Sequence, residues 1–243
     1  MTDLFSPLGT LHLVGVGPGD PELLTLKAAR LLGSAAVVAY PITGEGAALA
    51  LDIARPHLSP AAEHLGIDLP MAVARAPGQA AYDAAARQIL SHLRAGRDVA
   101  YLCEGDPLFY GSAMYLVARI APLAPIDVIP GITSLTAAAA AIARPLAARN
   151  ELLKILPAPL SDAELRPELL AAPAAAIIKI GRHFDRIRNL LGETGHAANA
   201  VVVEHATSAR QRITRLADFA HDERPYFSTI LCYRGAEAWG TPS

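Results

Sequence analysis

The stretch Leu11-His12-Leu13-Val14-Gly15-Val16-Gly17-Pro18-Gly19-Asp20-Pro21-Glu22 decides the fold class. Residues 11–16 form an aliphatic run closed by Gly17-Pro18-Gly19, which reads as a buried strand entering a tight turn. A helix is then expected to open at once. Asp20 can cap it, Pro21 suits its first turn, and Glu22 complements its positive end. Leu24, Ala28, Leu31 and Leu32 follow at helical spacing, and Gly33 stops the run.

Outward from this unit the pattern repeats. Residues 35–40 read as a second strand, ended by Pro41, whereas residues 44–75 carry too many Pro and Gly breaks to assign. A helix over 80–95 ends at Gly96, and a third strand spans 98–103. Another helix covers 111–120 and a fourth strand 126–129; the next helix runs through Ala139 and can be capped by Thr133 or Ser134. Alternating strands and helices imply a parallel sheet with helices on both faces. Three of the strands end in loops of Gly, Pro, Asp, Ser and Thr that lead into helix starts. In such sheets ligands gather at the carboxyl ends of the strands.

The pattern changes near Arg144. Strands are expected at 152–156, 175–180 and 200–203, and Ser161-Asp162-Ala163-Glu164 is a capping box opening a helix. A further helix covers 183–191. Residues 211–215 and 228–233 can supply two more strands with no clear helix between them, so the second sheet is expected to be mixed. The expected architecture is α/β with two lobes, 1–145 and 146–243.

Composition sets the limits. The chain has 243 residues, 52% apolar and 18% charged, which excludes disorder of the whole. Aromatics are 5%, and the aliphatic excess suits helices on a parallel sheet. The formal net charge is -2, without the basic excess of a general nucleic-acid binder. Cys103 and Cys232 sit in aliphatic runs with no CxxC spacing, so they read as buried thiols, and no metal site is expected. Residues 1–10 lack a basic start followed by an apolar core, and no apolar run reaches the ~18 residues of a membrane span. A cytoplasmic protein is expected.

The glycine loops narrow the chemistry. Loop one runs G-x-G-x-G rather than G-x-G-x-x-G, and Pro18 removes a phosphate-binding N–H. The second strand ends in Tyr40-Pro41 without a carboxylate for a ribose, which argues against a dehydrogenase. No G-K-[ST] occurs. Loop two, residues 103–112, concentrates polar and aromatic side chains around Gly105 in an aromatic-poor chain. Loop three, residues 130–134, sets the Thr133 and Ser134 hydroxyls at a helix N-terminus, where they can cap or can bind a carboxylate or ribose.

Read together, the motifs GVGPGDPELLTLKAARLL (15–32), EGDPLFYGS (104–112) and IPGITSLTAAAA (129–140) resemble the tetrapyrrole methyltransferases, the class III S-adenosylmethionine-dependent methylases. Residues 178–181, 204–210 and 226–233 fit as well, so the resemblance covers nearly the whole chain. Tyr40-Pro41, EGDPLFYGS with Tyr115, and residues 145–158 look most like the branch that methylates precorrin-2 at C20 to give precorrin-3A, with cobalt-precorrin-2 as the alternative substrate.

The resemblance implies a cofactor cleft between the lobes. Contacts to S-adenosylmethionine, and to S-adenosylhomocysteine as product, are implied from Pro18, Gly105, Asp106, Phe109, Thr133 and Ser134, and from Ile180, Ala206, Thr207 and Tyr226 of the second lobe. It also implies a homodimer. A reduced tetrapyrrole carbon is nucleophilic enough to need no side-chain nucleophile, so no catalytic residue is singled out. Glu104, Asp106 and Tyr110 are candidate proton acceptors. The substrate's carboxylates call for arginines, and Arg75, Arg144, Arg149, Arg182, Arg210 and Arg212 lie near loops. A carrier without transfer activity is the non-enzymatic alternative.

Overall fold

The computed structural model describes residues 7–42, 48–69, 75–220 and 227–235. The chain divides into two units, residues 1–133 and 134–243. The first holds a sheet of five parallel strands in the order β3-β2-β4-β1-β5: β1 Leu11–Gly15, β2 Val37–Ile42, β3 Glu63–Asp68, β4 Val99–Cys103 and β5 Ile126–Ile129. Its helices are α1 Leu26–Leu32, α2 Leu49–Ala54, α3 Arg75–Arg94 and α4 Met114–Ile120.

Strand alternation builds two cores on this sheet. Leu11, Leu13, Val99, Tyr101 and Cys103 face α3 and α4, while Val14, Val38, Ala100 and Leu102 face α1 and α2. Helices therefore cover both faces, and the central strands β1 and β4 are mainly apolar because both of their faces are covered.

Three local readings are corrected. Asp20 caps only a short 3₁₀ turn, Pro21–Leu23; α1 starts later, where the Thr25 hydroxyl accepts the N–H of Ala28 at 3.2 Å. The second strand does not stop at Pro41 but runs through it to Ile42. The Ile42 carbonyl accepts the N–H of Leu69 on the β3 side, so Pro41 turns its missing donor to the other side, where β4 pairs only as far as Ala39. The unassigned region holds α2 and the edge strand β3, in which only Ile67 is buried.

The second unit contains α5 Ser134–Ala141, α6 Asp162–Leu170 and α7 Phe184–Glu193. Its strands are β6 Leu153–Pro157, β7 Ala174–Ile178, β8 Val201–Glu204, β9 Arg212–Arg215 and β10 Ser228–Tyr233. The order is β6-β7-β10-β8-β9. The β6–β7 pair is parallel and the other pairs antiparallel, so the sheet is mixed as expected. The Ser161–Glu164 capping box is present, α6 and α7 pack on one face of the sheet, and α5 packs on β10. Cys103 and Cys232 are both free and buried, and burial pushes the Cys232 thiol up to about 12. None of the described helices is long and apolar enough to cross a membrane.

Two buried polar groups give testable consequences. Tyr101 is 2% exposed, and among the described residues its hydroxyl meets no hydrogen-bond partner. An unsatisfied buried hydroxyl is unfavourable, so Tyr101→Phe is expected to raise unfolding free energy by about 1 kcal/mol, read from the urea midpoint. A loss of stability would show that the hydroxyl is satisfied.

His196 is fully buried between the Thr194 hydroxyl and the Ala172 carbonyl. Burial, with Arg234 adding to it, lowers its pKa below the ordinary 6.5. The unfolded chain therefore takes up this proton first as pH falls. Stability is expected to be full above about pH 6.5 and to decline below it. His196→Gln should flatten that part of the stability–pH curve; an unchanged slope would assign it to other groups.

Candidate active site

Loops one, two and three follow β1, β4 and β5, neighbouring strands whose carboxyl ends share one edge of the first sheet. Their backbones touch. Gly17 and Gly105 exchange hydrogen bonds, N–H to carbonyl, of 3.2 and 2.8 Å. Both glycines have positive φ, +78° and +67°, which lets each strand end turn sharply without a Cβ clash. A Cβ on Gly131 would lie 2.1 Å from the Gly105 carbonyl oxygen, and one on Gly15 would lie 2.6 Å from Gly131 Cα. Gly15 and Gly17 of loop one thus serve loop-to-loop contact. That need is invisible in the G-x-G-x-G spacing, because its partners lie roughly 90 and 115 residues away in the chain.

Asp106 ties the cluster together. One carboxylate oxygen accepts the N–H groups of Leu108 at 2.9 Å and Phe109 at 3.1 Å, and the other accepts the Gly131 N–H at 3.0 Å. Phe109 packs edge-on against Tyr110, a non-glycine residue at φ 54°. Leu108, Tyr110 and Met114 leave a substantial apolar surface exposed beyond this turn. Below it, Tyr82 packs on Tyr115 with ring centroids 5.0 Å apart.

The three acid–base candidates separate. Asp106 is engaged by three backbone donors. Tyr110 is exposed. Glu104 is the perturbed one: burial raises its carboxyl pKa, opposed by its own N–H and that of Ala50 at the start of α2.

Pro18, Gly105, Asp106, Phe109 and Thr133 therefore come together at the carboxyl edge of the first sheet, and Ser134 follows Thr133 as the first residue of α5. Ile180, Ala206 and Thr207 come together separately, at one edge of the second sheet. β7 and β8 both run antiparallel to β10, hence parallel to each other, and end side by side across it. The backbone there is sharply turned: Lys179, His205 and Thr207 have φ of 57°, 47° and 68°. Non-glycine residues in this region cluster at functional sites. Ile180 and Ala206 are buried. Tyr226 lies outside the described residues, as does the side chain of Arg75.

A parallel sheet carrying three interlocked glycine loops, joined to a mixed sheet, matches one family description. The tetrapyrrole (corrin/porphyrin) methylases match residues 10–219, and the chain belongs to that family. This removes the dehydrogenase reading. The chain is 43% identical over 234 residues to cobalamin biosynthesis protein CobIJ of Mycobacterium tuberculosis; the match covers 93% of this chain and 46% of that protein. It thus spans about half the length of that relative. It is 40% identical over 236 residues to precorrin-2 C(20)-methyltransferase of Sinorhizobium sp, covering 92% of this chain and 95% of that one. Uroporphyrin-III C-methyl transferase from Thermus thermophilus, solved with S-adenosyl homocysteine, aligns with a TM-score of 0.69 at 27% identity, covering 93% and 92% of the two chains.

Proposed function

We propose that this chain transfers the methyl group of S-adenosylmethionine to C20 of precorrin-2, giving precorrin-3A and S-adenosylhomocysteine. The observation that carries the reading is the 40% identity spanning 95% of the Sinorhizobium enzyme, since a match to one shared loop would not reach the specificity-bearing remainder. The loops suit the cofactor. Gly105 has no side chain and a positive φ, so its backbone can approach a ligand closely, and the backbone of Thr133 lies beside it.

When bound, the sulfonium supplies an already activated methyl group. The chain's task is then to hold, orient and exclude water, effects worth about 7–11 kcal/mol in favourable cases. Pro18, Gly105, Asp106, Phe109, Thr133 and Ser134 would hold the cofactor from the first set of loops, with Ile180, Ala206, Thr207 and Tyr226 contributing from the second unit. Asp106 acts in this reading through the backbone it fixes. Assembly as a homodimer in the cytoplasm belongs to the same reading, and light scattering of the purified protein tests the assembly.

The experiment is incubation with S-adenosylmethionine and either precorrin-2 or its cobalt form. Mass spectrometry should show one methyl added, and NMR should place it at C20. Addition at another carbon overturns the branch assignment. Binding of the macrocycle without any S-adenosylhomocysteine formed would favour a carrier.

A further inference from the structure

The six arginines that the sequence places near loops are sorted by the second sheet. Arg144 donates to the carbonyls of Asn199 and Leu231, both at 3.0 Å, and Arg149 precedes β6; both therefore belong to the amino edge of β6 and β8. Arg182, Arg210 and Arg212 collect at the opposite edge. Arg182 follows β7, Arg210 lies between β8 and β9, and Arg212 opens β9 directly across from Glu204, the last residue of β8.

Two acidic groups near this edge have other engagements. Asp162 pairs with Arg186, and Glu164 closes the capping box of α6. Glu204 is buried. Arg182 and Arg210 are exposed, and among the described residues neither forms an ion pair. The adjoining imidazoles feel the resulting field. Burial first, then Arg182 and Arg186, lower the pKa of His183; burial first, then Arg210, and in part Arg212, lower that of His205 against the opposing charge of Glu204.

A flat apolar surface lies in the same field. Phe227, immediately before β10, is 40% exposed, and its ring centroid is 6.1 Å from that of His205 at a tilt of 47°. The His205 N–H donates to the Phe227 carbonyl at 2.8 Å, which holds the two residues side by side. An exposed phenyl ring beside an imidazole, with the exposed guanidinium groups of Arg182 and Arg210 on the same edge, suits a flat ring system bearing peripheral carboxylates. The guanidinium fork matches carboxylate geometry.

We infer that the carboxyl edge of the second sheet recognises the substrate's carboxylate side chains through Arg182 and Arg210, with Phe227 and His205 as the platform for its ring. This rests on the tetrapyrrole reading of the function and names residues that the reading leaves open.

The test uses Arg182→Ala, Arg210→Ala and the double variant, with the exposed helical Arg87→Ala as control. Each single variant should raise KM for precorrin-2 about tenfold, the worth of one charge-assisted hydrogen bond at a partly exposed site. Cofactor Kd should not change, and Arg210→Lys should restore only part of the loss. A parallel binding assay uses uroporphyrin, rich in carboxylates, and coproporphyrin, which has fewer. Wild type should prefer uroporphyrin, and the double variant should lose that preference and its salt dependence.

Variants that keep wild-type KM and wild-type uroporphyrin affinity overturn the inference, even where methylation at C20 is confirmed. Arginine-dependent uroporphyrin binding by a protein that does not methylate precorrin-2 overturns the functional reading and leaves the recognition edge standing.

Discussion

Replacing Gly131 by alanine is expected to disable the protein. The added Cβ would stand 2.1 Å from the Gly105 carbonyl oxygen and 2.8 Å from Gly15 Cα, so it strikes backbone in two loops that are themselves bridged. No side-chain rotation can relieve a backbone contact. Loops one, two and three must move apart, which is overpacking at a site with no slack and is expected to cost about 3 kcal/mol of stability. Displacing loop two from loop three by even 1 Å is enough for about a hundredfold loss of methyl transfer.

Urea denaturation and a turnover assay at saturating cofactor check both parts. Gly78→Ala is the contrasting variant. Gly78 lies within α3 with nothing near its Cβ position, and alanine there should stabilise by about 0.5–1 kcal/mol. If Gly131→Ala matched wild type in stability and rate, the loops would not be locked as described.

Asp106→Ala should be the next most damaging change. It leaves the N–H groups of Leu108, Phe109 and Gly131 without their shared acceptor. Hydrogen bonds to a charged acceptor contribute about 1.5–3 kcal/mol, and the partial exposure of this cluster puts the expected loss near the lower end, about 2 kcal/mol. Cofactor affinity should fall with it, because the turn over residues 106–109 and the start of loop three lose their common anchor.

Asp106→Asn discriminates. It can keep the bonds to Leu108 and Phe109 but then turns an amide donor toward the Gly131 N–H, so an intermediate loss is expected. A variant that binds cofactor weakly yet unfolds like wild type would make Asp106 a direct ligand contact rather than a positioning residue.

Much of the first unit was readable from local pattern. Its strands β1 and β4 are almost wholly buried, so each is a mainly apolar run, β5 keeps the apolar Ile126, Val128 and Ile129, and the loops that carry the family motifs follow directly in sequence. The mixed second sheet was readable for a related reason: residues 211–215 and 228–233 have strand character without a helix between them. β3 was unreadable because an edge strand with one buried residue has almost no hydrophobic periodicity, and α2 is only six residues long. Pro41 misled because its effect depends on which neighbour its absent N–H would face, a property of pairing rather than of sequence.

Sequence alone therefore settled the class of sheet, the strands and helices outside residues 44–75, and the loops bearing the family's motifs, since each is written in runs of fewer than about twenty residues. Folding in three dimensions had to settle the rest. It brought Gly15, Gly105 and Gly131 into contact and gave Asp106 a backbone donor 25 residues away. It also put Arg144 and Arg210 at opposite edges of one sheet. Contacts between residues far apart in the chain depend on strand order and register, and local propensity carries no record of either.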